Sequence, residues 1–380
     1  MPRRGRRSLV KREGHVALFV PSLHGGGAEQ VMLTLATGFA SRGLRVDLVL
    51  VKAAGALLGE VPSSVRLFVL DAPKVIASLP HLVKYLRREQ PSVLLSTLNT
   101  ANVVAVWASQ LAATPTRTIV RQASRFSWDI QIAPQPRKTM LRSLVRWSYP
   151  RADVVVAVSS GVATDLVRTA RVPRTRIRTL PSPLLRADVR RKAEAPVEHP
   201  WFADPDVPVV LGVGRLSVVK GFATLLNAFA LVRQERPCRL LILGEGPERE
   251  RLEALSRELG VESDVGLPGF SPNPFAYMAR AGVFVLSSAS EGSPGVLIQA
   301  LACGAPVVAT ECDPGMRELI GDGELGRTVA VGDAQGMARA ICAVLDHPKR
   351  RAPDTIVAQF DEDRAVDGYL RLVTESLANA

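Results

Sequence analysis

The sequence predicts an α/β fold built from two doubly wound, Rossmann-like domains facing across a cleft. Three observations carry this. Short apolar runs alternate with stretches of helical periodicity along most of the chain. That alternation breaks once, over residues 181–208, where Pro181, Pro183, Pro196, Pro200, Pro205 and Pro208 are interspersed with charges, as in a linker. Several apolar runs end in small or glycine-rich turns leading directly into a helix, as parallel strands do at their carboxyl ends.

Residues 1–14 are basic and lack the apolar core of a signal peptide, so they are expected to form a disordered tail on a cytoplasmic protein. The first domain is expected over 15–180. His15 to Val20 is its first strand, followed by Gly25, Gly26 and Gly27. Val31, Leu35 and Phe39 then recur every fourth residue until Gly43 ends the helix. A glycine loop opening a helix lets backbone N–H groups approach a phosphate, although a tight strand–helix turn needs the same residues. The spacing is not that of a dinucleotide fingerprint. Strands follow at 46–51, 65–70 and 93–96, with a helix near 80–89. Asn99 and Asn102 stand at the next strand-to-helix junction. The strand at 118–120 ends in RQASRFSW, where Arg121, Ser124 and Arg125 are candidates for contacting an anionic acceptor, or are plain surface residues.

Residues 137–150 predict a basic amphipathic helix. Lys138, Arg142 and Arg146 fall four apart on one face, with Met140, Leu141, Leu144 and Trp147 on the other. Such a helix suits an anionic membrane interface, and equally the surface of a sheet. A strand at 154–158, a helix from Ser159 and a strand at 177–180 close the first domain.

The second domain is expected over 209–355. After the strand at 209–213, Arg215 and Lys220 bracket a loop that opens a helix near Gly221. Two cations beside a helix N-terminus make a diphosphate site, because charge and dipole both oppose phosphate. A strand, a Gly-Glu-Gly-Pro turn and a helix come next. The run 283–286 then reads as a strand buried on both faces. Ser287 to Glu291 is small and polar, and Pro294 suits the first turn of a helix. Val296, Leu297, Ala300 and Leu301 give the helical period, Gly304 caps it, and 307–309 is a strand. Glu291 and a helix N-terminus are thus delivered to one place. Asp333 caps a helix carrying Met337, Ile341 and Leu345, and residues 361–377 read as a terminal helix.

The length of 380 residues suits two domains. No run of 18 apolar residues is present, so no membrane-spanning helix is predicted. Cys238, Cys303, Cys312 and Cys342 lie far apart, as expected of reduced thiols without a metal site. Residues 1–180 hold 27 Lys and Arg against 9 Asp and Glu, and residues 181–380 hold 21 against 27. The basic first half favours an anionic membrane surface over nucleic acid, for which no motif is present. A peripheral position on the inner face of the plasma membrane follows as an expectation.

The stretch LSSASEGSPGVLIQALACGAPVVAT resembles the C-terminal signature of the family 4 retaining glycosyltransferases of the GT-B fold. In that signature a Glu, seven residues and a second Glu precede a Gly-x-Pro-Val-Val strand. Glu291 fills the first position. Gln299 stands at the second, keeping the length and a carbonyl acceptor but losing the charge. The segment from Gly214 to Gly221 matches the family's Gly-Arg-Leu…Lys-Gly, and Gly26 and Gly27 match the loop facing the donor diphosphate. The resemblance implies a UDP- or GDP-sugar as substrate, no cofactor and no metal. It places the diphosphate against Arg215, Lys220, Gly295 and Val296, the base near Pro268, sugar hydroxyls on Glu291 and ribose on Gln299. Glu291, Arg215 and Lys220 would serve the chemistry, with retention of configuration. The terminal helix, within 356–380, would cross back to the first domain.

The acceptor would be a saccharide or a lipid-linked saccharide of cell-surface polysaccharide or glycolipid synthesis. The acceptor-side His of the family has no match among Gln122, Ala123 and Ser124, which leaves Asn99, Arg121 and Ser124 as acceptor-side candidates. Two other classes are compatible. A nucleotide-sugar epimerase of the same architecture would need cleft His residues, and only His24 is so placed. A non-catalytic partner subunit would accord with Gln299 and the missing His.

Overall fold

Runs of Val, Leu and Ile form parallel strands that are buried on both faces because helices cover each side. The computed structural model describes residues 14–204, 206–313, 315–320, 325–346 and 357–378. The tail expected at 1–14 lies outside them except for Gly14, as do residues 347–356 at the expected end of the second domain. The first sheet contains β1 (His15–Val20), β2 (Arg45–Leu50), β3 (Arg66–Val69), β4 (Val93–Thr97), β5 (Arg117–Gln122), β6 (Val154–Ala157) and β7 (Ile177–Thr179), in the order β3-β2-β1-β4-β5-β6-β7. The second contains β8 (Val209–Val213), β9 (Arg239–Leu243), β10 (Val265–Gly269), β11 (Val283–Leu286), β12 (Val307–Thr310) and β13 (Gly326–Val329), in the order β10-β9-β8-β11-β12-β13. In each sheet the order reverses beside the first strand. Those reversals, between β1 and β4 and between β8 and β11, open crevices at the strands' carboxyl ends, where ligands bind in such sheets.

The helices that position the cleft loops are α1 (Gly27–Ser41), α2 (Asn99–Ala112), α3 (Phe126–Ile132), α4 (Arg137–Ser148) and α5 (Ser160–Asp165) on the first domain. On the second they are α6 (Phe222–Glu235) and α7 (Gly295–Ala302). The terminal helix α8 (Glu362–Ala378) packs on α1, with Val366 and Tyr369 buried in the first domain's core. A Cβ on Gly38 would lie 2.6 Å from Val366, so glycine sets how closely the two helices approach. Arg42 fastens the pair through Asp363 at 2.9 Å and Asp367 at 2.7 Å.

The chain passes between the domains twice, and the two passages run side by side. The N–H groups of Leu184 and Leu185 both donate to the Phe360 carbonyl at 3.0 Å, and Glu362 N–H donates to the Leu185 carbonyl at 3.0 Å. The proline-rich segment is more than a tether. It carries a short helix, Val189–Glu194, whose Lys192 carbonyl accepts from Asn273 Nδ2 at 2.9 Å.

Candidate functional site

The β8/β11 crevice is formed by the loops that follow those two strands. They are stitched together: Ala289 N–H donates to the Val219 carbonyl at 2.8 Å, and Ser287 Oγ donates to the Lys220 carbonyl at 2.8 Å. Gly221 has φ +64°, and a Cβ there would lie 2.1 Å from the Ser287 carbonyl oxygen, so only glycine fits this crossing. The stitching brings Lys220 Nζ to 2.6 Å from Glu291 Oε1, which also accepts from Ser288 Oγ at 2.7 Å. Both partners are largely buried, with side-chain exposures of 22% and 11%. Oε1 therefore anchors Glu291, and Oε2 takes no hydrogen bond among the described residues. Lys220 retains two N–H donors. Arg215 is exposed and makes no ion pair among the described residues. Gly295 opens α7 beside this pair, with Pro294 before it. Pro268 lies exposed at the end of β10, next to Phe270, whose side chain is 79% exposed.

Across the cleft, the β1/β4 crevice holds the glycine loop and the start of α2. The N–H groups of Gly25 and Gly26 donate to Glu29 Oε2 at 2.9 and 3.1 Å. Gly26 thus offers its amide to a carboxylate of its own chain in this structure, whereas Gly27 has open space where a Cβ would stand. Asn99 and Ser124 meet on a residue that sequence reasoning missed. Asp129 Oδ2 accepts from Asn99 Nδ2 and Ser124 Oγ, each at 2.8 Å, and more weakly from Gln122 Nε2 at 3.5 Å. Burial pushes the Asp129 carboxyl above its ordinary value, against the opposing hydrogen bonds from Asn99 and Ser124. Its only sequence signal is a lone acid in the apolar run that follows a strand end.

The two crevices face each other in direct contact. A Cβ on Gly292 would lie 2.0 Å from the Ala123 carbonyl oxygen and 2.7 Å from Ser124 Cα, so these backbones touch. Arg125 Nη1 donates to the Cys312 carbonyl at 3.2 Å, and Ser159 Oγ, the N-cap of α5, donates to Asp313 Oδ2 at 3.4 Å.

Two family profiles match this chain, one on each domain. Glycosyltransferase Family 4 matches residues 25–184, and Glycosyl transferases group 1 matches residues 207–347. The chain is a family 4, group 1 glycosyltransferase. Among its relatives is the N-acetylgalactosamine-N,N'-diacetylbacillosaminyl-diphospho-undecaprenol 4-alpha-N-acetylgalactosaminyltransferase of Campylobacter jejuni, 29% identical over 347 residues, which are 88% of this chain and 91% of that one. The lipopolysaccharide core biosynthesis glycosyltransferase LpsE of Rhizobium meliloti is 37% identical over 44% of this chain and 50% of its own. Sucrose-phosphate synthase of Thermosynechococcus elongatus superposes with a TM-score of 0.80 at 22% identity, covering 96% of this chain and all of that one. WaaG, a lipopolysaccharide-biosynthesis glycosyltransferase, gives 0.73 at 16% identity, covering 94% and 99%. The architecture is the GT-B fold.

Within the glycosyltransferase, two expectations need correction. Arg121 does not reach the cleft surface. It is 2% exposed, and its guanidinium donates to Tyr369 Oη at 3.1 Å, Ser182 Oγ at 2.6 Å and Thr97 Oγ1 at 3.5 Å. It braces the first sheet against the first interdomain passage, at Ser182, and against the terminal helix α8, at Tyr369. The amphipathic helix α4 also divides differently. Leu141 and Leu144 pack onto the domain core beside buried Val145, while Met140 and Trp147 are 58% and 48% exposed. Arg146 is not a free surface cation, because its Nε donates to the Thr169 carbonyl at 2.8 Å. Gln299 lies on α7 with Nε2 3.3 Å from the Leu184 carbonyl of the passage between domains. Among the described residues no His, Cys, Asp or Glu cluster could hold a metal, and no helix is long and apolar enough to cross a membrane.

Proposed function

We propose that the enzyme transfers a sugar from a nucleoside-diphosphate sugar to a saccharide or lipid-linked saccharide acceptor, with retention of configuration and without a metal. The observation that carries this is the Lys220–Glu291 pair, closed at 2.6 Å beside the N-terminus of α7 at the β8/β11 switch point. Lys220 and Arg215, with the helix dipole, would receive the diphosphate and stabilise its charge as the anomeric C–O bond breaks. Two side-chain cations and a helix end would take the role a divalent ion plays elsewhere. Glu291, fixed through Oε1, would use Oε2 to hold sugar hydroxyls. Gln299 Oε1, which makes no hydrogen bond among the described residues, would hold ribose, and exposed Phe270 beside Pro268 offers a face for the base. UDP as the nucleotide is supported by the HepE structure of Anabaena with UDP-glucose, which shares this fold at a TM-score of 0.72.

A lipid-linked acceptor is supported by the relative's diphospho-undecaprenol substrate and by the basic first domain. The docking face would be the exposed side of α3 and α4. Ile132, Met140 and Trp147 are exposed there, Arg142 is exposed, and the Arg151 guanidinium sits 4.3 Å from the Trp147 ring centre. Sedimentation with anionic and neutral vesicles tests this: salt-sensitive binding to anionic vesicles is expected, and equal binding of an Ile132/Met140/Trp147→Ser variant would reject this face.

The donor reading is tested by calorimetry with UDP and GDP, followed by turnover of a panel of sugar nucleotides in the presence of EDTA. Binding of one nucleotide, and turnover that EDTA leaves intact, are expected. Loss of turnover in EDTA, with recovery in Mg²⁺ or Mn²⁺, would overturn the role given to Lys220 and Arg215.

A further inference from the structure

Donor binding uses one wall of the cleft and leaves a carboxylate on the other without an assigned task. We propose that Asp129 is the acceptor-side base: its Oδ1 accepts a hydrogen bond from the attacking saccharide hydroxyl and takes up the proton. This deepens the glycosyltransferase reading and rests on it.

The asymmetry of the carboxylate is the first argument. Among the described residues all three of its side-chain hydrogen bonds fall on Oδ2, from Asn99, Ser124 and Gln122. Oδ1 accepts none among the described residues, and it is not sealed from solvent. A carboxylate serving only to tie the loop together would be expected to spend both oxygens on it. Here one oxygen fixes the orientation and the other stays available.

The donors are themselves held. Tyr149 Oη lies 2.8 Å from Gln122 Oε1 and 3.2 Å from Asn99 Oδ1, and it accepts from Asn102 Nδ2 at 2.8 Å. Tyr149 is fully buried, so this layer is rigid. A base supported in this way needs no reorganisation when the hydroxyl arrives.

Location is the second argument. Ser124, bonded to Asp129, lies against Gly292, and Gly292 directly follows Glu291. Asp129 is therefore one hydrogen bond from the loop that carries the proposed sugar-binding carboxylate. No cation among the described residues pairs with it, and Asp165 at the end of α5 adds to the burial that raises its affinity for a proton. A raised affinity for the proton is what a general base needs in order to take it up.

The step balances. The acceptor O–H bond breaks and its proton goes to Oδ1. The acceptor oxygen bonds to the anomeric carbon from the face that the diphosphate leaves, so configuration is retained. The anomeric C–O bond to the diphosphate breaks, and its electron pair leaves on the diphosphate, held by Lys220 and Arg215. The proton then passes from Asp129 to solvent.

The test compares wild type with Asp129→Asn and Asp129→Ala. UDP affinity is read by calorimetry. UDP release is read from UDP-glucose and UDP-N-acetylgalactosamine, with extracted membrane lipids as the acceptor source. UDP affinity should stay within about twofold, while UDP release should fall by on the order of 10²- to 10⁴-fold in both variants. Added formate should restore part of the rate to Asp129→Ala, where it can occupy the vacated space, and not to Asp129→Asn. Near-wild-type release by either variant overturns the proposal. So does a loss that formate leaves untouched and that a lowered melting temperature accompanies, because a structural role predicts that pattern. A wild type that binds no UDP and releases none from sugar nucleotides overturns the donor reading, and the base with it.

Discussion

A single methyl group at Gly292 would test whether the observed contact between the domains is the working geometry. The added Cβ of Gly292→Ala would lie 2.0 Å from the Ala123 carbonyl oxygen, 2.6 Å from its carbon and 2.7 Å from Ser124 Cα. A carbon and an oxygen rest at about 3.3 Å or more, so the two backbones must separate by roughly 1.3 Å. Rotating a side chain cannot relieve this clash, because the three nearest atoms are all backbone. The two loops belong to different domains, so the separation opens the cleft between Glu291 and Ser124. Misplacing reacting groups by about 1 Å costs on the order of 10²-fold in rate, and overpacking a buried position costs about 1–3 kcal/mol of stability. Donor affinity should change far less, since Lys220, Glu291 and α7 all lie in the second domain. The assay is UDP release from the donor, paired with UDP calorimetry. Gly59→Ala is the control, because an added Cβ there meets no atom within 4 Å. Turnover of Gly292→Ala within threefold of wild type would refute the reasoning and mean that catalysis uses a more open arrangement than this one.

Three further outcomes follow from the same geometry. Lys220→Ala should weaken UDP binding by about 1.5–3 kcal/mol, the range for a lost charge-assisted hydrogen bond; unchanged affinity in calorimetry would remove Lys220 from the donor site. Gln299→Glu would set a carboxylate against the Leu184 carbonyl, 3.3 Å from the present amide, so UDP affinity should fall at pH 8 and recover toward pH 5, where a protonated Glu can donate again; a pH-independent difference from wild type would refute this. Asp47→Asn should cost about 1.5–3 kcal/mol in urea unfolding, because the buried Asp47 receives Tyr85 Oη at 2.6 Å and Arg66 Nε at 2.8 Å. Burial alone would raise the Asp47 carboxyl, but hydrogen bonds from His15, Arg66 and Tyr85 outweigh it and hold the group well below the usual carboxylate range. Its contribution is therefore complete well above the unfolded value near about 4 and is lost progressively as pH falls through that value toward the lower folded one. Wild type should lose stability on acidification more steeply than the variant, and parallel profiles would contradict this.

The strands were legible because parallel strands buried on both faces leave near-continuous apolar runs, and few other structures in a soluble chain do. Lys220 and Glu291 were each legible as residues that follow such a strand. Their meeting at 2.6 Å was not, because it depends on β8 and β11 being neighbours although 69 residues intervene between the end of one and the start of the other. Arg121 illustrates the opposite failure. Its place at a strand end reads as a cleft position, yet its donors go to Thr97, Ser182 and Tyr369, which arrive from three distant parts of the chain. Periodicity in α4 identified two faces, but it could not say that Leu141 and Leu144 belong to the core while Met140 and Trp147 stay exposed.

Gln299 is the informative intermediate. Its departure from the signature is visible in the sequence, and the chemistry of the change needs the fold. A carboxylate can only accept, whereas the group facing Gln299 is the carbonyl of Leu184, which can only accept as well. An amide resolves this, donating to the passage between domains through Nε2 while Oε1 remains an acceptor. The same helix meets that passage a turn earlier, where a Cβ on Gly295 would lie 3.4 Å from Leu184. The helix whose N-terminus faces the proposed diphosphate is thus fastened to the segment about which the domains join. Neutral glutamine is the residue that makes the fastening possible.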